Sequence, residues 1–164
     1  IAGLVILNTW AWPSRGKMIL FSHIMGDALG RFLIRRYNVF AAKIVPGSIN
    51  RADRKTPEVL KAYTDPFPTQ ESRIGTWVFP RAIRTNNDWL GETQQGLSRL
   101  SGKPVEMVFA MKDPAFGREE VIAKWKRYFP DAAVDRVPDA NHFIQEEAPD
   151  RIAAAIRRVV ARAS

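Results

Sequence analysis

Val105-Glu106-Met107-Val108-Phe109-Ala110-Met111-Lys112-Asp113 is the stretch whose reading decides the fold. The run VEMVFA is opened by the turn residues Gly102 and Pro104 and closed by Lys112-Asp113-Pro114. A short apolar run that holds its polar residues back to the carboxyl end reads as a strand buried on both faces of a parallel sheet. Open α/β sheets place their chemistry just past the carboxyl ends of such strands. Asp113 stands at that position.

Working outward toward the carboxyl terminus, Arg118 to Phe129 has helical period, with Val121, Ile122, Trp125 and Phe129 on one side. Pro130-Asp131 ends it, Ala133 to Val137 reads as a second short strand, and Asp139-Ala140-Asn141-His142 forms a turn. Pro149 opens a last helix, RIAAAIRRVVARA, whose Ile152, Ile156 and Val159/Val160 stripe is expected to face the sheet. Its arginines 151, 157, 158 and 162 read as a solvated face that also suits a helix carboxyl end.

A strand-end Asp followed by a loop His is the chain order of the acid and base in a hydrolytic triad. The imidazole needs a carboxylate to fix its tautomer and to stabilise the imidazolium formed in the transition state. Asp113 and His142 fall at the ends of adjacent strands, so their loops can meet above the sheet. The bland reading has Asp113 capping the following helix and His142 packing in its loop. The residues themselves supply an acid and a base, and no nucleophile.

Toward the amino terminus, Leu4 to Leu7 reads as a further buried strand, followed by Trp10 and Trp12, which are expected to pack under the next helix. Residues 14–90 show helical period and no strand pattern. Within them, Lys17 to Arg36 reads as one helix, and His23 inside it as a surface or satisfied core residue. Asn38 to Val45 is a short helix stopped by Pro46-Gly47. Thr56 caps a helix with Pro57 in its first turn, ESRIGTWVF ends at Pro80, and Asn86 to Leu100 is another amphipathic helix. The expected organisation is a core strand in 1–13, an all-helical cap inserted over 14–90, and a core α/β segment in 91–164.

Composition narrows the function. Hydrophobic residues make up 46% and aromatics 10%, which excludes a disordered or fibrous chain. There is no cysteine and there are only two histidines, so thiolate and histidine-cluster metal sites are not expected. The formal charge is +8, but the 25 Lys and Arg are scattered without a block of five or six, which argues for a solvated basic surface over a nucleic-acid face. No apolar run approaches the ~20 residues of a membrane span. No leader pattern opens the sequence, so the cytoplasm is the expected compartment.

The stretches VILNTWAWP, AYTDPFP with the following WVFP, FAMKDPAFG and DANHFIQEEAPDRIAAAI resemble the haloalkane dehalogenase group of α/β-hydrolases. The resemblance runs from Ile1 onward and corresponds to the carboxyl-terminal half of that fold, cap included. It implies Asp113 as the acid and His142 as the base. The family's other acid position falls near Asn8, which is neutral. The implied mechanism is a two-step displacement: an aspartate attacks a halogen-bearing carbon, and water activated by His142 hydrolyses the ester to an alcohol. The implied partners are a small apolar halogenated substrate, water and the halide ion, with no cofactor, metal, nucleic acid or membrane. Trp and Asn donors usually hold the halide; neither Trp77 nor Trp89 is assigned that role here, and the halide site is left empty.

Other capped α/β-hydrolases, an epoxide hydrolase or an esterase, stay open, because the residue at the nucleophile elbow decides between them. Tyr37 and Tyr63 offer the hydroxyls an epoxide hydrolase needs, outside any family pattern. A non-catalytic binding domain is the reading from a different class. The sequence begins as a strand already under way, so the nucleophile is expected upstream of residue 1. A missing amino-terminal half or a second chain is expected to complete the sheet, and the fragment alone to be inactive.

Overall fold

In the computed structural model, residues 1–163 are described. In chain order the principal elements are β1 (Leu4–Leu7), α1 (Lys17–Gly26), α2 (Ala28–Tyr37), α3 (Val45–Gly47), α4 (Pro57–Thr64), α5 (Ile74–Thr85), α6 (Asn87–Gly96), β2 (Val105–Ala110), α7 (Glu119–Lys126), β3 (Ala133–Val137), α8 (Ile144–Glu147) and α9 (Pro149–Ala163). A π-helical turn, Phe40–Ile44, leads into α3, and a 3₁₀ turn, Leu97–Leu100, follows α6. The chain divides into two compact units. One holds Ile1–Trp10, Ser48–Arg54 and the chain from Gln95 on; the other holds Ala11–Gly47 and Lys55–Gln94.

The first unit is built on a parallel sheet of order β1-β2-β3, with Leu4 opposite Val105 and Glu106 opposite Ala133. All six residues of β2 are buried, as its uninterrupted apolar run requires, whereas β1 is only half-buried apart from Ile6. β1 pairs with β2 alone among the described residues. Val108 and Ala110 point to one face, where Val137, Ala140, Ile144, Ala148 and Ala155 close a core joined by Val5, Leu7 and Ile152. Met107 and Phe109, also fully buried, project to the other face by strand alternation. Each such side chain contributes about 2 kcal/mol of burial.

Two expectations for α9 hold only in part. The buried residues are Ala155 and Val159 with Ile152 packed on the core, while Ile156 and Val160 are exposed. Nor are the arginines simply a solvated face. Glu106, a carboxylate in β2 with 3% exposure, is held by Arg158 Nη2 at 3.0 Å and Arg162 Nη2 at 2.6 Å. A buried charge requires such partners. Arg158 and Arg162 are one helical turn apart and so reach it together. Turning that stripe toward β2 carries Ile156 and Val160 outward. Arg151 in turn pairs with Asp135 of β3 at 2.8 Å.

The second unit is helical, with no strand among its described residues. Lys17–Tyr37 is two helices rather than one, broken at Asp27, which is extended. Gly26 and Gly30 explain the break. A Cβ on Gly26 would meet the Arg81 backbone at 2.8 Å, and one on Gly30 would meet the Met25 carbonyl at 2.2 Å. Asp27 is taken by His23 at 3.1 Å and by Arg84. The helix expected to stop at Pro80 instead runs through it: α5 continues to Thr85. Buried Pro80 is stitched to α1 by Ser22, whose Oγ donates to the Pro80 carbonyl at 2.7 Å. Tertiary packing there outweighs the loss of one helix N–H. Thr56 caps α4 as read, accepting from Val59 N.

The units are not separated by a single cut. Ser48–Arg54, inside the stretch expected as cap, packs in the sheet unit. Main-chain and side-chain bonds from Asn50 and Arg51 to Glu147 and Asp139 hold it there.

Candidate active site

β2 and β3 are adjacent and parallel, so the loops leaving their carboxyl ends lie side by side. They are joined main chain to main chain: Met111 N donates to the Val137 carbonyl and Lys112 N to the Ala140 carbonyl, both at 2.9 Å. Gly117 N returns to the Asp113 carbonyl at 2.9 Å, closing a tight turn. Only glycine fits there, because a Cβ would stand 2.3 Å from the Ala110 carbonyl oxygen.

On this frame the two residues singled out in the sequence meet. Oδ2 of Asp113 lies 2.8 Å from Nδ1 of His142. The Asp113 side chain is 1% exposed and that of His142 43%. The same Oδ2 accepts from Asn8 Nδ2 at 2.7 Å, while Oδ1 accepts from Ala115 N at 2.8 Å and Phe116 N at 3.2 Å. Burial pushes the Asp113 carboxyl up, but the hydrogen bonds from His142 and Asn8 outweigh it and hold the group below its ordinary value. An ionised carboxylate only accepts, so Nδ1 carries a proton toward it, and the tautomer this selects has its lone pair on Nε2. That is the tautomer of a general base.

Reading the sequence alone misses what Asn8 does. It sits at the carboxyl end of β1 with φ +24°, a conformation Asn tolerates better than most residues. Its Oδ1 accepts from Ala110 N at 2.7 Å, which fixes the amide so that Nδ2 faces Asp113. An asparagine just past a strand end, beside a second strand ending in Asp, is the signal that could have found it.

An aromatic wall flanks the pair. Trp10 stacks on Phe116 with centroids 5.2 Å apart, Phe116 lies 5.8 Å from the His142 ring, and Phe143 meets His142 edge-on at 5.6 Å. Trp10 therefore packs, as expected, though on the loop after β2. Its indole N–H is buried without a hydrogen-bond partner among the described residues.

The other residues weighed in the sequence lie elsewhere. His23 is exposed on α1 and pairs with Asp27. Trp77 donates its N–H to the Gly26 carbonyl at 2.9 Å, and Arg31 and Arg81 lie over its ring. Trp89 and Tyr37 are largely exposed. Among the described residues no group of three or more His, Asp or Glu could hold a metal ion. No described helix is long and apolar enough to cross a membrane.

A parallel sheet with an Asp after one strand and a His after the next is the arrangement found in the carboxyl-terminal half of the α/β-hydrolase fold. Comparison with known proteins adds that the chain is similar to haloalkane dehalogenases. It is 34% identical over 158 residues to haloalkane dehalogenase 2 of Mycobacterium tuberculosis, covering 95% of this chain and 54% of that protein. A cis-3-alkyl-4-alkyloxetan-2-one decarboxylase of Xanthomonas campestris is 29% identical, with 97% of this chain and 55% of that protein covered. Among solved structures, haloalkane dehalogenase DbeA from Bradyrhizobium elkani superposes with a TM-score of 0.82 at 21% identity, covering 99% of this chain and 60% of that one. That likeness shows the fold. No family model matches the chain. The chain spans about half the length of the curated relatives it matches.

Proposed function

We propose that this chain supplies the acid and base of a hydrolytic haloalkane dehalogenase. In the first step a carboxylate nucleophile attacks the halogen-bearing carbon. A C–O bond forms, the C–halogen bond breaks, and halide leaves with the bonding pair. In the second, His142 Nε2 takes a proton from water as the water oxygen adds to the ester carbonyl. Collapse breaks the bond between the ester carbonyl carbon and the alkoxy oxygen. That oxygen takes the hydroxyl proton of the intermediate and leaves as the alcohol, the carboxylate is restored, and the imidazolium, stabilised meanwhile by Asp113, gives its proton to solvent. The 2.8 Å contact between His142 Nδ1 and Asp113 Oδ2 is the observation that carries this reading. The 34% identity to a haloalkane dehalogenase supports a carbon–halogen bond as the one cleaved. The reaction calls for no cofactor; its partners are a small apolar halogenated substrate, water and the departing halide. The helical unit corresponds in sequence to the family's cap. Halide release from short chloro- and bromoalkanes by the intact protein is the test, and its absence with well-folded protein across such a panel sinks the proposal.

A second reading has its own observation: the Xanthomonas relative, matched over nearly the whole chain, is named for decarboxylating an alkyl oxetanone. Assaying the same protein for loss of carbon dioxide from a dialkyl oxetan-2-one separates the two.

A further inference from the structure

Glu147 lies outside the acid–base pair, yet it is 1% exposed and its carboxylate accepts three hydrogen bonds. Oε2 accepts from Asn141 N at 2.6 Å, the main-chain group next to His142. Oε1 accepts from Asn50 N at 2.9 Å and Arg51 N at 2.6 Å. All three donors are main-chain groups, and they come from segments some ninety residues apart in sequence. Further bonds follow the same seam. Asn50 Nδ2 donates to the Asp139 carbonyl at 2.7 Å, Phe143 N to the Ser48 carbonyl at 3.3 Å, and Arg51 Nη1 to the Glu147 carbonyl at 3.1 Å. The loop carrying the imidazole is thus gripped on both sides of His142, at Asp139 and Asn141 before it and at Phe143 and Glu147 after it.

We propose that Glu147 is a positioning residue, whose buried carboxylate clamps the His142 loop to Ser48–Arg54 and so sets the imidazole on Asp113. Charge-assisted bonds to main-chain N–H groups are stronger than neutral ones. A buried carboxylate whose two oxygens are both directed at fixed donors has one low-energy geometry. Ser48–Arg54 is a short stretch with no partner strand, and Glu147 gives it a fixed place in the sheet unit. The consequence for turnover rests on His142 being the base. The clamp does not.

Glu147→Gln in the intact protein tests this, because an amide can satisfy only one side of the clamp. Its oxygen stays with Asn50 and Arg51, two donors against one, which turns the NH₂ toward the Asn141 N–H, donor facing donor. Amide exchange at Asn141 and His142 is expected to speed up about tenfold or more. The low-field Nδ1–H proton of His142 should broaden or vanish. Asn50, Arg51 and β2 should change far less, while Glu147→Ala should release both segments. Wild-type exchange and an intact Nδ1–H signal in the Gln variant overturn the proposal, as does protection lost uniformly through β2, which marks a general stability role. Should the Gln variant not fold, wild-type exchange still decides. Asn50, Arg51 and Asn141 must be protected as a set, and an Asn141 that exchanges at a free-loop rate overturns the clamp. Protein that passes these readouts yet releases no halide before mutation refutes the dehalogenase reading and leaves the clamp standing.

Discussion

Asn8 donates from Nδ2 to Oδ2 of Asp113 at 2.7 Å across the carboxyl ends of β1 and β2. A neutral amide thus stands where a second acid would face the first. Its oxygen on Ala110 N leaves no other way for the amide to turn. The chemistry of the pair depends on that neutrality, since two carboxylates this close cannot both ionise.

Asn8→Asp should therefore destabilise the protein at neutral pH by about 1–3 kcal/mol, the cost of a buried group that has lost its match. The sign with pH is fixed. One carboxyl of the new pair has its folded pKa raised, so the folded state binds more protons and the variant regains stability as pH falls. Urea unfolding at pH 7 and pH 5 measures it. A deficit that widens on acidification contradicts the argument.

Asp113 itself predicts the opposite slope. Its folded pKa lies below the ordinary value of 3.8. The stability it contributes is complete above 3.8 and is lost as pH falls through the depressed folded value. Asp113→Asn should cost most near neutrality, and its difference from wild type should shrink as pH drops below 3.8. Denaturant midpoints compared between pH 6 and pH 3 test it; a constant difference would mean Asp113 is not held ionised.

The Glu106 clamp gives an asymmetric pair of variants. The arginines are half-exposed and can rehydrate if released, whereas Glu106 is buried and cannot. Glu106→Leu should be tolerated, and the Arg158→Ala, Arg162→Ala double variant should be the more damaging, because it strands a buried carboxylate. Urea midpoints in the reverse order would show that water reaches Glu106.

These contrasts show where the sequence was legible. β2 and its terminal Asp113 could be read because an uninterrupted apolar run ending in a charge fits a buried parallel strand and little else. His142 could be read from chain order. The Asn8–Asp113 bond spans 105 residues and the Glu147 bonds to Asn50 and Arg51 span 97 and 96, and no local period encodes contacts at that range. The same holds for Pro80, buried and stitched to α1 in mid-helix, and for the arginines of α9, whose partner is a strand residue. Helical period also failed to reveal the break at Gly26–Asp27, since it is set by how closely Met25 and Arg81 approach two glycines.

The last expectation concerns timing. If His142 serves only the hydrolytic half of the cycle, as an aspartate nucleophile implies, removing it leaves carbon–halogen cleavage intact. His142→Ala in the intact protein should release about one halide per site and then stop, with the alkyl group retained as an ester and visible as added mass. Asp113→Asn tests the same step more gently. The ring stays in place, but an amide NH₂ facing Nδ1 favours the tautomer whose lone pair points the wrong way. That variant should turn over slowly, with ester accumulating ahead of hydrolysis. A serine nucleophile predicts otherwise: the histidine would be needed from the first bond-making step, and neither burst nor trapped ester would form. Rapid-mixing halide release with intact-protein mass spectrometry distinguishes the cases. Sustained turnover by His142→Ala would remove this histidine from the mechanism altogether.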